Sequence, residues 1–178
     1  MRNKLARVKL VAMDVDGTFT DGTLMYDHDG NVVKGFWSQD GLGLELLRRA
    51  GVVRGFITGR HDGATEARAA YLKVDFYMPS VGDKAVALRG LLDKYGLVKE
   101  ECLYIGDDLN DLTAFEAAGV RVAVANAVDA VKARADFVTG KTGGRGAIRE
   151  MVEMLLEAKG LDPVELWMSY RDRAVGMQ

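Results

Sequence analysis

The chain has 178 residues, a formal net charge of −2 and 48% hydrophobic residues, a composition that fits one globular domain with a sizeable core. This near-neutral balance gives no electrostatic reason to expect a nucleic acid or an anionic membrane surface as a partner. No apolar run approaches the roughly 18 residues that a membrane-spanning helix needs, so we predict no membrane segment. The single cysteine, Cys102, excludes an internal disulfide and favours a reducing, cytoplasmic compartment.

Short apolar runs alternate along the chain with segments of helical period. Strands are predicted at residues 7–13, 52–57, 74–78, 102–105, 120–124 and 136–138. Helices are predicted at residues 42–49, 63–72, 84–95, 109–118 and 148–158, the first with Asp40 as its N-cap and Gly51 as its stop signal. This alternation predicts an α/β fold of the Rossmann-like, doubly wound kind, with a parallel sheet and helices on both faces.

One segment interrupts the alternation. Residues 22–37 have strand-like side chains on both sides of Asp29 and Gly30, a strong turn signal, and predict a β-hairpin that projects from the first strand. Residues 162–178 predict a short C-terminal helix followed by a loose tail. The chain has no internal repeat and no proline-rich linker, so we predict that residues 1–178 form a single domain.

The first predicted strand leads into two carboxylates, Asp14 and Asp16, followed by Gly17. Two acids at a strand end can divide labour, one staying ionised beside a cation while the other carries a proton. A calcium-binding loop is one alternative, and counting excludes it, because the twelfth position from Asp14 is Met25 and not a glutamate. A simple turn remains open on this motif alone.

Three later segments carry further polar side chains at strand ends or helix starts. Thr58 follows the strand at residues 52–57, and Lys84 begins a helix, where its charge and the helix dipole both favour an anion. The next strand is followed by three acids, Asp107, Asp108 and Asp111. Taken one at a time, Thr58 equally fits a simple turn, Lys84 a surface lysine and the three acids a solvated acidic loop. Together they predict a site that binds a phosphate and a divalent cation. We expect the cation to be Mg²⁺, because it prefers oxygen ligands.

The order of these motifs, Asp-x-Asp, Thr, Lys and Gly-Asp-Asp-x-x-Asp, resembles that of the haloacid dehalogenase superfamily of phosphohydrolases over residues 8–150. The resemblance implies that Asp14 is the nucleophile that takes up the phosphoryl group, with Asp16 as the general acid/base. It implies that Thr58 and Lys84 hold and neutralise that group.

The same resemblance implies a Mg²⁺ ion bound by the side chains of Asp14 and Asp107 and by the backbone carbonyl of Asp16. Asp108 and Asp111 are then supporting residues, with Asp111 orienting either the phosphate-binding lysine or metal-bound water.

Many members of that superfamily carry a cap domain that closes the site, and this chain has no room for one. Only the hairpin lies between Asp16 and the helix at residues 42–49. A site without a cap must exclude water by other means. We therefore predict an oligomer, with the hairpin and a neighbouring subunit covering the site.

A narrower resemblance rests on Asp21-Gly22, Asp40-Gly41-Leu42-Gly43, Thr58-Gly59-Arg60 and residues 143–150. These motifs are similar to those of the 3-deoxy-D-manno-octulosonate 8-phosphate phosphatases, which implies a homotetramer, a phosphorylated sugar acid as substrate and a role in lipopolysaccharide synthesis. The substrate-binding residues implied are Thr58, Gly59, Arg60, Arg68 and Lys84. Arg68 comes from the same subunit or a neighbouring one, and both arginines equally fit solvated positions.

Other functions remain as alternatives. The nonulosonate 9-phosphate phosphatases share the pattern, although a glutamate tends to stand where this chain has Arg60, which favours the octulosonate. Thr18-Phe19 and Phe36-Trp37-Ser38 depart from the family pattern and leave the sugar open. From other classes, a receiver-like module would hold phosphate on an aspartate without turnover, and a scaffold domain would have no activity. Asp16 argues against the module, and the complete set of catalytic positions argues against the scaffold.

Overall fold

The structure is a computed structural model that describes the backbone of residues 1–175 and the side chains of residues 1–169. The strands in this part of the chain are β1 (Leu10–Met13), β2 (Met25–Tyr26), β3 (Val32–Val33), β4 (Val53–Ile57), β5 (Phe76–Met78), β6 (Cys102–Gly106), β7 (Val120–Ala123) and β8 (Phe137–Val138). Six of them form one sheet in the order β5–β4–β1–β6–β7–β8, and all neighbours in it are parallel. The predicted parallel α/β fold is therefore confirmed.

Helices flank this sheet. They are α1 (Arg2–Ala6), α2 (Ser38–Arg49), α3 (Gly63–Leu72), α4 (Lys84–Tyr95), α5 (Leu112–Ala117), α6 (Asp129–Lys132), α7 (Ala147–Ala158) and α8 (Pro163–Val175), with 3₁₀ turns at Lys99–Glu101 and Leu109–Asp111. Helix α7 packs against α1 and α2, and α4 packs against α5. None of the helices in residues 1–175 has both the length and the apolar character that a bilayer crossing requires.

The two central strands, β1 and β6, are buried along their whole length, as expected of parallel strands covered on both faces. Strands β4, β1 and β6 lie side by side, so their carboxyl ends meet at one edge of the sheet. The loops after these strands contain Thr58, Asp14 and Asp107 respectively. Ligands of doubly wound sheets bind at this edge, and the topology alone therefore brings three of the predicted site residues together.

The predicted hairpin is confirmed as a two-stranded antiparallel sheet of its own, in which Met25 pairs with Val33. Its turn is closed by Asp27, whose Oδ1 accepts hydrogen bonds from the amides of Asp29 at 2.9 Å and Asn31 at 2.8 Å. Gly30 has a φ of +82°, which a glycine adopts without strain. In the described residues, only this hairpin and its flanking loops connect β1 with α2.

The predicted N-cap role of Asp40 is wrong. Helix α2 begins at Ser38, which places Asp40 within its first turn. The buried carboxylate instead accepts hydrogen bonds from the amides of Gly146 at 3.1 Å and Arg149 at 2.8 Å, at the start of α7. Because α2 and α7 pack together, Asp40 satisfies the unpaired amides of its neighbour rather than those of its own helix.

Other element limits differ from the predictions by no more than two residues, except at three places where the difference is larger. Residues 2–6 form α1, and the first strand is shorter than predicted because it begins at Leu10. The predicted helix at residues 109–118 begins as a 3₁₀ turn, because the Asp111 side chain folds back onto the amides of the preceding loop. At the C-terminus α8 is longer than the predicted short helix, and residues 176–178 of the predicted tail lie outside the described residues.

Candidate active site

Asp14 lies directly after β1 and is almost completely buried. Its amide donates a hydrogen bond to the carbonyl of Ile105, which continues the sheet pairing into the loop and fixes the backbone. Its Oδ1 lies 3.0 Å from the Nζ of Lys84. Burial, followed by the nearby charge of Asp111, raises the pKa of Asp14 to about 7, although Lys84 works in the opposite direction.

Lys84 is the first residue of α4 and is buried between two carboxylates. Its Nζ donates a hydrogen bond to Oδ1 of Asp111 at 2.6 Å, in addition to the ion pair with Asp14. Burial alone would lower the pKa of Lys84, but the two carboxylates raise it above its ordinary value. The lysine is therefore an ammonium that points a permanent positive charge at Asp14.

Asp111 has no free acceptor position on either carboxylate oxygen. Oδ1 accepts from Lys84 and from the hydroxyl of Tyr104 at 2.8 Å, and Oδ2 accepts from the amides of Asp107 at 2.7 Å and Asp108 at 3.1 Å. A carboxylate offers about four lone-pair positions, and these four donors use them. Asp111 thus orients Lys84 and shapes the loop after β6.

Asp107 follows β6, and its Oδ1 accepts a hydrogen bond from the hydroxyl of Thr18 at 2.7 Å. Burial raises the pKa of Asp107 to about 6, with Asp111 and Asp108 adding to the effect and Thr18 opposing it. One carboxylate oxygen from each of Asp14, Asp107 and Asp111 lies within 4.8 Å of the others. Since Asp111 is saturated, Asp14 and Asp107 are the side chains of this cluster that remain open to a cation.

Gly17 allows the loop after β1 to approach Asp107. Its φ is +89°, and a Cβ at this position would lie 2.1 Å from Oδ2 of Asp107. Its carbonyl accepts a hydrogen bond from Nδ2 of Asn126 at 2.9 Å, and Oδ1 of the same Asn126 accepts from the amide of Gly143 at 2.6 Å. The glycine-rich segment before α7 is therefore fastened to the loop that carries Asp14 and Asp16.

A cavity of about 190 Å³ opens at this edge of the sheet, lined by Asp14, Asp16, Thr58, Gly59, Arg60, Asp107, Asp108 and Asn110. Thr58 follows β4 and is buried, and its Oγ1 accepts a hydrogen bond from the amide of Arg60 at 3.3 Å. Its hydroxyl hydrogen stays available for an oxygen in the cavity. The Arg60 side chain is 58% exposed, with Nε 3.7 Å from Oδ2 of Asp16.

Asp16 lies in the same loop after β1 as Asp14 and lines the same cavity. Its closest ion pair is with Lys34 of the hairpin, at 2.7 Å between Nζ of the lysine and Oδ1 of the aspartate. Lys34 also donates a hydrogen bond to Oδ2 of Asp62 at 2.6 Å. Burial alone would raise the pKa of Asp62, but the hydrogen bonds from Lys34 and Thr65 bring it below its ordinary value.

Arg68 does not reach this cavity in its own chain. It lies on α3 and lines a separate cleft with Ser38, Gly41 and Tyr71. Its guanidinium carbon is 5.6 Å from the centre of the Phe36 ring and 5.5 Å from that of Tyr71. Among the described residues no hydrogen-bond partner is present for its buried Nε.

The sequence interpretation missed four residues of the site. Thr18 and Asn110 lie within the Asp-x-Asp and Gly-Asp-Asp-x-x-Asp segments, so their closeness in sequence to the predicted acids could have indicated them. Tyr104 lies in an apolar strand, and the sequence alone indicates a core residue, whereas in the structure its hydroxyl donates a hydrogen bond to Asp111. Lys34 has no local signal, because only the folding of the hairpin over the site brings it to Asp16.

The fold and the site define a haloacid dehalogenase-like hydrolase. The family model of that description matches residues 57–151, which include Thr58, Lys84 and the acidic loop after β6.

Comparisons with individual proteins narrow this class. The 3-deoxy-D-manno-octulosonate 8-phosphate phosphatase KdsC of Haemophilus influenzae is 40% identical over 164 residues, which cover 92% of this chain and 91% of the relative. The chain belongs to this phosphatase family, as its motifs predict.

Solved structures agree with this assignment. The 3-deoxy-D-manno-octulosonate 8-phosphate phosphatase of Moraxella catarrhalis, in complex with a magnesium ion, a phosphate ion and a KDO molecule, matches with a TM-score of 0.87 at 42% identity, covering 89% of this chain and 91% of that one. The cobalt-bound form of the Haemophilus influenzae phosphatase matches with a TM-score of 0.86 at 40% identity, covering 88% and 92%.

Proposed function

We propose that the protein releases phosphate from 3-deoxy-D-manno-octulosonate 8-phosphate through an aspartyl-phosphate on Asp14. The observation that carries this proposal is the pairing of Asp14 with the buried Lys84, at a cavity that Asp14 lines together with Asp16 and Thr58. The activity named for the Haemophilus influenzae relative supports the choice of substrate.

The residues of the cavity fit a divalent cation. Asp14 and Asp107 are carboxylates whose pKa values are raised, mainly by burial, so their ionised forms would be stabilised by an added positive charge. We assign Mg²⁺ to the side chains of these two residues and to the backbone carbonyl of Asp16, with Asp108 in a supporting position. The ion would supply positive charge against the oxygens of the phosphoryl group. The magnesium complex of the Moraxella catarrhalis phosphatase supports this assignment.

In the first half of the reaction a carboxylate oxygen of Asp14 forms a bond to phosphorus while the bond from phosphorus to the sugar oxygen breaks. Asp16 gives its proton to that leaving oxygen. Lys84, which contacts Asp14, and the hydroxyl of Thr58, which lines the same cavity as Asp14, stabilise the charge on the transferred group. Gly59, Arg60 and an Arg68 supplied by a neighbouring subunit contact the sugar acid.

In the second half Asp16, now a carboxylate, takes a proton from water as the water oxygen attacks phosphorus. The bond from phosphorus to Asp14 breaks, phosphate leaves, and Asp16 again carries its proton. The same two carboxylates thus serve both halves, which explains why the pair lies two residues apart on one turn.

We place the enzyme in the cytoplasm as a homotetramer in lipopolysaccharide sugar synthesis, by its resemblance to this family. The free, buried thiol of Cys102 supports a reducing compartment. The exposed apolar side chains of Met25, Tyr26 and Val33 on the hairpin support assembly through that element.

A substrate panel tests the proposal. Phosphate release is measured with Mg²⁺ for 3-deoxy-D-manno-octulosonate 8-phosphate, a nonulosonate 9-phosphate and glucose 6-phosphate, and compared by kcat/KM. We expect the octulosonate to exceed the others by at least about 100-fold, because a site that pairs polar groups rejects substrates that leave them unpaired. Preference for the nonulosonate would move the assignment to the neighbouring family, and preference for glucose 6-phosphate would refute a sugar-acid substrate.

Asp14→Asn is the matched variant for the mechanism, because it keeps the side-chain shape and removes the nucleophile. We expect its turnover to fall by at least about 10⁴-fold, as for other nucleophile removals. Retained turnover in Asp14→Asn would refute the aspartyl-phosphate while leaving the substrate assignment in place.

A further inference from the structure

Lys34 is a buried lysine on an otherwise exposed hairpin. Lys34 is 9% exposed as a whole residue, whereas the preceding residue, Val33, is 47% exposed. Burial of an ammonium costs free energy unless charges and hydrogen bonds compensate for the lost water. The inward position of Lys34 therefore depends on the groups that surround its Nζ.

Three oxygens surround this nitrogen. It lies 2.7 Å from Oδ1 of Asp16, 2.6 Å from Oδ2 of Asp62 and 3.2 Å from Oγ1 of Thr65. It donates hydrogen bonds to Asp62 and Thr65, whereas its contact with Asp16 is an ion pair. Asp62 is the N-cap of α3, where its Oδ1 accepts from the amide of Thr65 at 2.8 Å. Lys34 thus joins the hairpin, the loop after β1 and the start of α3.

The carboxylate of Asp16 has little else to hold it. Arg60 is the other cation near it, at 3.7 Å and on a mostly exposed side chain. In the described part of the chain no backbone amide donates a hydrogen bond to this carboxylate, whereas two amides hold Asp111. An aspartate side chain that is free to rotate populates several rotamers, and only some of them direct the carboxylate into the cavity.

We propose that Lys34 is a positioning residue that holds the Asp16 carboxylate toward the cavity it shares with Asp14. The proposal rests on the acid/base role proposed above for Asp16. The proton passes from Asp16 to the leaving sugar oxygen as the bond from that oxygen to phosphorus breaks, and Lys34 keeps its own protons throughout. Such a transfer requires the carboxyl group to lie within hydrogen-bond distance of the leaving oxygen. The hairpin is therefore part of the catalytic arrangement of its own subunit.

The test compares two leaving groups. A sugar alkoxide needs a proton as it leaves, whereas p-nitrophenolate leaves readily without one. We expect Lys34→Met to lower kcat/KM for 3-deoxy-D-manno-octulosonate 8-phosphate by about 10- to 100-fold, part of the usual contribution of an acid catalyst. For p-nitrophenyl phosphate we expect a loss of less than about threefold on the same grounds. General damage to the fold would lower both values equally, and that result would overturn the proposal.

Lys9→Met is the matched control. Lys9 is an exposed lysine whose Nζ lies 2.6 Å from Glu101, and its removal also breaks one lysine–carboxylate pair. We expect both kcat/KM values of Lys9→Met to stay at the wild-type level. A leaving-group-selective loss in Lys9→Met equal to that of Lys34→Met would overturn the proposal.

Asp16→Asn is measured in parallel, so that this proposal and the proposed function can fail separately. If Asp16→Asn loses more kcat/KM for the sugar phosphate than for p-nitrophenyl phosphate, and Lys34→Met shows the same selectivity to a smaller extent, the proposed function and the role of Lys34 are both supported. A selective loss in Asp16→Asn with none in Lys34→Met refutes the role of Lys34 and leaves the function standing. A wild-type protein that hydrolyses neither substrate refutes the proposed function, and this proposal with it.

Removal of the ammonium leaves the carboxylates of Asp16 and Asp62 without the positive charge that lies between them, which lowers stability. Lys34→Met combined with Asp62→Asn removes one of these charges, and thermal unfolding identifies which variants are folded. We expect the double variant to show the same leaving-group-selective loss. We expect Asp62→Asn alone to keep the wild-type ratio of the two kcat/KM values. Loss of that selectivity in a folded double variant would refute the role of Lys34.

Discussion

At the scale of single residues, the site is arranged by charge pairs that lie out of water. Asp111 commits both carboxylate oxygens to Lys84, Tyr104 and two backbone amides. By contrast, the Asp14 carboxylate is paired with Lys84, and the Asp107 carboxylate accepts from the hydroxyl of Thr18. Burial raises the pKa values of Asp14 and Asp107, and their few donors do not offset it, so a cation would stabilise their ionised forms.

We therefore predict that Mg²⁺ stabilises the protein more at about pH 8 than at about pH 5, because metal ligands must lose their protons. The folded-state pKa values are about 7 for Asp14 and about 6 for Asp107, both raised above the ordinary value of 3.8. In the metal-free protein both residues contribute stability below their unfolded-state pKa, and this contribution is lost as the pH rises through 6 and 7. Binding of Mg²⁺ to the ionised carboxylates is expected to restore this stability at the higher pH.

Thermal unfolding with Mg²⁺ or with EDTA at the two pH values measures the effect. At about 100 times Kd a ligand adds about 2.7 kcal/mol, or very roughly 5–10 °C in Tm for a chain of this length. We expect a shift of this order at the higher pH and less than half of it at the lower one. Asp107→Asn, which removes one ligand, is expected to lose most of the shift at the higher pH. An equal shift at both pH values would contradict the assignment of these carboxylates.

At the scale of secondary-structure elements, the sequence predicts those limits that local side chains determine. Helices α3 and α4 have the predicted bounds because the residues before them, Asp62 and Asp83, cap their own amides. Asp40 carries the same local signal, but its partner is α7, and only packing reveals this. Lys34 likewise gains its place through the fold. The catalytic motifs were predictable because each follows a strand, whereas the contacts between motifs were not.

Asp40, on α2, caps the start of α7 with a buried side chain, and this contact leads to a prediction about stability. Asp40→Ala leaves the amides of Gly146 and Arg149 unpaired in the interior, since the side chain of Asp40 is 0% exposed. We expect a loss of about 2–3 kcal/mol in the free energy of unfolding, at the upper end for a lost cap. Denaturant unfolding followed by circular dichroism measures it.

Asp83→Ala is the matched control for this loss. Asp83 also accepts from two amides, those of Ala85 at 2.9 Å and Val86 at 3.3 Å, but it is exposed and caps its own helix. Water can replace its hydrogen bonds, so we expect a loss of only about 1 kcal/mol. Equal losses in the two variants would show that the connection between α2 and α7 adds nothing beyond an ordinary helix cap.

At the scale of the whole molecule, the hairpin has two unlike sets of side chains. One of them, Lys34, is buried and tied to the active site of its own chain. Others are apolar and exposed, with Met25 at 50% and Tyr26 at 60%. A two-stranded sheet with free edges is marginally stable alone and tends to pair with another copy. An assembly through the hairpins would cover these side chains and hold Lys34 in place from outside.

We predict that Met25→Ser combined with Tyr26→Ser dissociates the proposed tetramer, because it removes the apolar area that the hairpins would bury between subunits. Size-exclusion chromatography with light scattering is expected to give four chain masses for the wild type and one or two for the variant. Val86→Ser is the matched control, since Val86 is exposed on α4, at 61%, and lies outside the hairpin. It is expected to remain tetrameric.

The dissociated variant also tests whether a second subunit completes the site. Arg68 does not reach the cavity of its own chain, so a neighbouring chain must supply any contact it makes to the sugar acid. We expect dissociation to raise KM for the sugar acid phosphate by about tenfold, the loss of one charged contact, with a smaller change for p-nitrophenyl phosphate. Arg68→Ala in the otherwise unchanged protein should raise KM to the same extent. Unchanged KM in both variants would mean that each subunit binds its substrate alone.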